Sequence, residues 1–293
     1  MGTGKRTAAA AVLAAWLVLA CAITARADSP VWKISDGNRH LYLGGTIHVL
    51  GKADYPLPLA FDRAYANSRT LVFETDISQT EDPGFAKKMM RKMMYADQRT
   101  LKTRIRQSTY ADLAKFSEAR GIPVQTFDRF KPGLVMIFLT LAETERLGAG
   151  GTGVDEFYFK KGRADGRAMN FLEAPMDQVD LLANIGVGNE DEMIAYLISD
   201  IGQLGTLFPL MKKAWKLGNY DLLYKETLAP MKKDFPELYH AMMVRRNLAW
   251  LPEIQKLLAT PEVEFILVGA GHLAGDQGLL ELLRKTGADT ENL

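Results

Sequence analysis

Two histidines and a glutamate share a setting that suits chemistry. His48 closes the segment LYLGGTIH, and His272, 224 residues later, closes EFILVGAGH. In both, an apolar run breaks on a pair of glycines and delivers an imidazole: Gly44 and Gly45 in the first, Gly269 and Gly271 in the second. Glu74 ends a third apolar run, TLVFE. Two neutral imidazoles and a carboxylate together suit a divalent ion such as zinc, manganese, cobalt or iron. Three protein ligands leave coordination positions for water, which a bound ion acidifies into a nucleophile near neutral pH. One glycine-ended strand carrying a histidine is ordinary turn chemistry; its recurrence asks for a shared cause. Glycine answers two needs, a turn with φ > 0 and the close approach of a bound group to the backbone, so Gly45, Gly269 and Gly271 are expected against the ligand. No pair of histidines one helical turn apart accompanies them.

Such residues converge only if the strands that carry them end at one edge. Strand-like runs fall at 31–34, 40–44, 70–75, 123–127, 168–172 and 264–268, separated by segments of helical spacing at 58–67, 85–96, 108–120, 134–147, 154–162 and 176–184. Strands alternating with helices imply an α/β fold, a mostly parallel central sheet with helices on both faces. In such sheets ligands sit at the carboxyl ends of the strands. Residues 190–257 have little strand character and are too long for one crossover, so a helical subdomain or lid is expected before the last strand. Ser108 or Thr109 is positioned to cap one helix, and Gly121 with Pro123 to stop it.

Other residues compete for a role. MMVRRNLAW places Arg245, Arg246 and Asn247 together on a helix, either as a solvated basic face or as groups turned into the cleft to hold an oxyanion or a substrate carboxylate. Glu173, ending AMNFLE, shares with Glu74 the alternative of accepting from a helix N-terminus. RLGAGGTGVDEF looks like a phosphate loop but lacks a preceding strand and a terminal GK[ST]; a helix C-cap with Asp155 at the next helix start explains it. Met89, Met90, Met93 and Met94 share one helical face, which suits apolar cover for a core or groove.

Taken in order, GGTIH, LPLAFDRAYANSRTLVFETD, GVDEFYFKKGRADGRAMNFLEAPMDQVDLL, RRNLAWLPEI and FILVGAGHLAGDQGLLELLRKTGA resemble the TraB/PrgY/GumN family, also called the Tiki-like superfamily, over nearly all of the chain. The resemblance implies an α/β fold related to erythromycin esterases and haem-binding ChaN proteins. It also implies a metal-dependent hydrolase site formed by two GxxH motifs and a glutamate after the second strand, with animal members described as metalloproteases. The motif positions here are His48, Glu74 and His272, with Asp155, Glu173, Arg246 and Asn247 as further motif residues. The family ends on an apolar strand, whereas this chain ends ADTENL, so the last strand is expected to be short or missing.

The expected function is an exported, metal-dependent hydrolase, most plausibly a peptidase acting on a peptide or protein. In this reading Glu74 is third ligand or general base. The alternative is a non-catalytic periplasmic binding protein for haem, a peptide pheromone or an exopolysaccharide-pathway component. Export follows from the N-terminus: Lys5 and Arg6, an apolar stretch over 7–23, then Ala25, Arg26 and Ala27 read as a signal peptide of residues 1–27, preceding one domain over 28–293. Cys21 leaves lipidation open; cleavage after Ala27 leaves no cysteine, suiting an oxidising periplasm or envelope. Removing Lys5, Arg6 and Arg26 leaves 33 basic against 35 acidic residues, a balance that offers nucleic acid no electrostatic footing. No transmembrane segment is expected after cleavage, and the sequence does not fix the oligomeric state.

Overall fold

The computed structural model describes residues 29–293. The signal-peptide and Cys21 expectations lie outside the described residues. Eight strands occur among them: β1 (Val31–Asp36), β2 (Arg39–Thr46), β3 (Val49–Leu50), β4 (Thr70–Phe73), β5 (Gly151–Thr152), β6 (Ala168–Phe171), β7 (Glu264–Gly269) and β8 (Asp289–Asn292). Six form one sheet in the order β6-β4-β7-β2-β1-β8, and β3 pairs with β5 apart from it. β6, β4, β7 and β2 run parallel, while β1 is antiparallel to both β2 and β8. The antiparallel turn is local: Gly37, with φ +57°, takes the first place of the two-residue β1–β2 hairpin, where a side chain is strained. β2, β4 and β7 are buried on both faces, which is why they read as continuous apolar runs.

The register positions the site. Gly44, Leu267, Phe73 and Phe171 stand in one row across β2, β7, β4 and β6. The chain directions are common, so His48, His272, Glu74 and Glu173 all leave the sheet just beyond that row, at one edge.

Two apolar cores hold this arrangement. One lies against the sheet, where Phe61, Tyr158, Trp215 and Phe265 pack ring to ring at centroid distances of 5.8 to 6.2 Å. The other is helical, built from Pro83–Met93, Gln107–Glu118, Pro132–Arg146, Pro175–Asn184 and Glu190–Gly202. The expected 190–257 subdomain is therefore divided: Met193, Ile194 and Leu197 join the helical core, whereas Trp215, Tyr220 and Trp250 pack on the sheet. Met93 is buried in the helical core with Met89, Met90 and Met94 against it, the apolar face their spacing announces.

Two local expectations are corrected and a third is met. Residues 123–127 form a 3-10 turn, Val124–Phe127, with Val124 and Phe127 in the helical core; so short a segment reads alike in both settings. The helix expected to start at Ser108 or Thr109 starts at Gln107 without a side-chain cap, although Gly121, at φ +74°, does end it. The last strand is short, as expected: the four residues of β8 seat on β1 through backbone pairing that needs no apolar sequence. Among the described residues no single helix is long and apolar enough to cross a membrane.

The helical core is pinned by a buried carboxylate. Glu143, 1% exposed, accepts from Arg120 Nε at 2.7 Å and from Arg146 Nη2 at 2.6 Å. The Arg146 hydrogen bond, with Arg120 beside it, outweighs burial and holds the carboxyl below the usual glutamate range. A depressed carboxyl stabilises the fold above its unfolded pKa and loses that effect as pH falls through the folded value. Glu143→Ala is expected to cost about 2 kcal/mol in urea unfolding at neutral pH, because Arg120 is left without its carboxylate, and the gap should close below about pH 4. A constant gap across that range would refute the ion-pair account.

Candidate functional site

Arg246 is the hub of the edge. It lies at the start of the helix Arg245–Leu258, one residue beyond a π-helical turn, His240–Val244, a widened turn of the kind found at functional sites. Its Nη2 donates to Glu74 Oε2 at 2.5 Å and to Glu173 Oε1 at 2.6 Å, its Nε to Glu173 Oε2 at 3.0 Å, and its Nη1 to His272 Nε2 at 2.9 Å. The guanidinium also covers the Trp250 ring, 4.5 Å from its centroid. Arg246, Glu74, Glu173 and His272 are 3 to 12% exposed at their side chains.

Asn247, the next residue, sets the His272 tautomer. Its Nδ2 donates to the carbonyls of His272 at 3.2 Å and Gln277 at 2.8 Å, so its Oδ1 accepts, and His272 Nδ1 at 2.7 Å must carry the proton. His272 Nε2 is then a bare lone pair aimed at Arg246. Burial, with Arg246 and His48 nearby, lowers its pKa to about 3 despite Glu74, so the ring is neutral.

Glu74 is ionised. Burial opposes its charge, but His272, Arg246, His48 and the Gly269 N–H, which donates to Oε1 at 2.6 Å, outweigh it and lower the pKa to about 2. With His272 neutral, the Arg246 contact and the Gly269 amide are the physical cause we assign. Gln178 Nε2 donates to Oε2 at 3.2 Å. Glu173 shifts upward, because burial exceeds the pull of Arg246 and Glu74 adds repulsion.

His48 stands across the cleft. Its Nδ1 lies 3.1 Å from Asp155 Oδ1, and the ring is open to solvent, 64% exposed. The Asp155 charge raises its pKa to about 9 against the effect of burial, a pull that the exposure of the ring screens in part. Asp155 gets there through the glycine-rich loop. β5 pairs with β3, Val154 N donates to the Ile47 carbonyl at 3.0 Å, and a Cβ on Gly153 would fall 2.2 Å from the His48 carbonyl oxygen. That loop docks Asp155 on His48.

The three expected ligands do approach one point. A Cβ on Gly269 would lie 3.2 Å from Glu74 Oε1, 3.6 Å from His48 Nε2 and 3.7 Å from His272 Cδ2. Gly269 thus keeps the centre of the site open, at an unremarkable φ of −52°. Gly45 is also explained by space, since a Cβ would meet the Tyr220 hydroxyl at 2.2 Å. Neither of these two, nor Gly271, has φ > 0, so the turn half of the glycine expectation fails. Gly45 and Gly271 face packed side chains rather than the cleft, and only Gly269 borders it.

In this arrangement the residues do not fit a three-ligand ion. His272 Nε2 and Glu74 Oε2 already accept from Arg246, and among the described residues no group of three or more His, Cys, Asp or Glu has geometry to hold a metal. A permanent cation beside a divalent one is costly as well: unit charges about 4 Å apart interact by about 4 kcal/mol at an effective dielectric near 20, and a double charge doubles that.

Between His48–Asp155 and Glu74 lies a cavity of about 210 Å³ walled by Thr46, Thr75, Ile77, Phe73, Leu267 and Gln178. The Thr46 and Thr75 hydroxyls have no hydrogen-bond partner among the described residues. Thr46, Thr75, Gly153, Gln178 and Trp250 all lie inside the segments that carry the family resemblance, but none has a residue type or spacing that marks it for the cleft.

The sequence profile of the TraB/PrgY/gumN family matches residues 30–292. The chain belongs to that family. It is 26% identical over 256 residues to "Uncharacterized protein YbaP" of Escherichia coli (strain K12), covering 85% of this chain and 89% of the relative, and equally similar to the protein of that name from Shigella flexneri. No solved structure matches. The α/β fold with its mostly parallel sheet agrees with the expectation from the family resemblance.

Proposed function

We propose that this family member is an exported peptidase, a hydrolase of amide and ester bonds, that activates water at the point beside Gly269. The observation that carries the reading is the approach of His48 Nε2, Glu74 Oε1 and His272 to that point, with Asp155 behind His48. Asp155 orients the imidazole so that Nε2 faces the cleft. Once the ring is neutral, which Asp155 delays to alkaline pH, water there gives a proton to Nε2 as its oxygen bonds to the carbonyl carbon. The oxyanion draws on the nearby Arg246 charge and on the unpartnered hydroxyls of Thr46 and Thr75. When the C–N or C–O bond breaks, the proton passes from His48 to the leaving atom, and a carboxylic acid and an amine or alcohol depart. Export to the periplasm or envelope rests on the N-terminal pattern of residues 1–27.

A divalent ion held by His48, Glu74 and His272 is the second reading, favoured by the same convergence, but it asks Arg246 to release two of those groups. A pool of fluorogenic peptides and nitrophenyl esters, assayed with and without chelator, separates the readings. Cleavage that resists chelation and falls by about 100-fold or more in His48→Ala supports the first; chelator-sensitive cleavage supports the second. Stoichiometric capture of a ligand without turnover would replace both by a binding protein.

A further inference from the structure

We infer that Arg246 is the resident cation of this cleft, a tethered charge standing where a divalent ion would otherwise be recruited, so that the native site excludes the ion and loss of the guanidinium creates a vacancy for one. The inference rests on the cleft proposed above but not on its turnover. Four contacts of the guanidinium carry it: Glu74, both oxygens of Glu173, and the lone pair of His272. Those are the group types that ligate zinc or manganese, here saturated by N–H donors instead. The arginine is also locked rather than swinging. Its side chain is 11% exposed, lies over Trp250, and holds the Met242 carbonyl of the preceding turn at 3.4 Å. His272 is prepared as an acceptor by Asn247, which keeps the proton on Nδ1 and the lone pair on Nε2. A histidine ligand needs the same preparation. Arg246 thus uses a ligand-like shell to hold a charge that cannot dissociate, whatever the metal supply around the protein.

Removing the guanidinium frees His272 Nε2 and Glu74 Oε2 beside Glu173. We name zinc ion as the probe, added to the chelator-stripped protein, with binding read by calorimetry and elemental analysis. Wild type should hold no stoichiometric zinc. Arg246→Ala should bind one ion per chain, about 100-fold or more tighter than wild type, and the ion should raise its melting temperature while leaving that of wild type unmoved. Adding His272→Ala should abolish the gain. Arg246→Gln, neutral and closer in shape, serves the same comparison if the alanine variant does not fold, and Arg246→Lys, which keeps a charge, should stay ion-free. One tight ion per wild-type chain, lost in His272→Ala, would overturn the inference, as would a folded neutral variant that gains none. An ion-free wild type that cleaves nothing leaves the inference standing while removing the hydrolase reading.

Discussion

In an NMR pH titration, His48 and His272 should part company by several pH units. Asp155 raises His48 to about 9, whereas burial lowers His272 to about 3. Measured by ring nitrogen shifts, His48 is then expected to remain protonated through neutrality and His272 to remain neutral into acid. The signs for stability are opposite. A raised histidine stabilises the fold below its unfolded pKa, near 6.5, and loses the effect as pH rises through the folded value; a lowered one costs stability as pH falls below about 6.5, because only the unfolded chain takes up the proton. Asp155→Asn should bring His48 down toward the ordinary value and leave His272 unmoved, since Asp155 acts only on the former. If the base is His48, cleavage by wild type should climb with pH until the ring has shed its proton, and in Asp155→Asn that climb should begin at lower pH. Two rings titrating together near 6.5 would mean that neither sits in the surroundings described.

Arg246→Met is expected to be the most destabilising single change in the cleft, about 3 to 5 kcal/mol by urea unfolding at neutral pH, the range for a buried ion pair stripped of one partner. Glu74 would keep only the Gly269 amide and Gln178 as donors, and Glu173, already shifted upward by burial, would take up a proton. Combining it with Glu74→Gln should recover about 2 kcal/mol, because the second change removes the charge that the first left uncompensated. A single variant within about 1 kcal/mol of wild type would show that the guanidinium is not held between the two carboxylates.

The edge itself was legible because parallel strands obey a strong rule: apolar runs of one direction end together, so residues just after them meet. His48, Glu74, Glu173 and His272 all follow such runs, and Arg246 and Asn247 turn inward rather than facing water. What spacing alone does not carry is which charge sits at the centre. A histidine, a glutamate and a histidine read as three ligands until the reach of an arginine from a distant helix is known, and the π-helical turn at His240–Val244 that precedes that arginine has no sequence mark. The glycine-rich loop is the helix stop and helix start that its pattern announces, with Asp155 in the first turn of the next helix, but it also does more. One of its glycines, Gly148 at φ +77°, follows the helix end. Gly151 and Gly153 instead permit backbone-to-backbone contact with Leu50 and His48, a long-range need that a local pattern does not record. The turn at Val124–Phe127 is lost to length, since four residues with apolar side chains at only the first and last give periodicity too little to work on.

The helix Pro175–Asn184 belongs to both halves of the molecule at once. Val179 and Ala183 are rooted in the helical core, while Gln178 reaches the Glu74 carboxylate. Any shift of the helical half therefore has a mechanical lever ending on that carboxylate, one amide long.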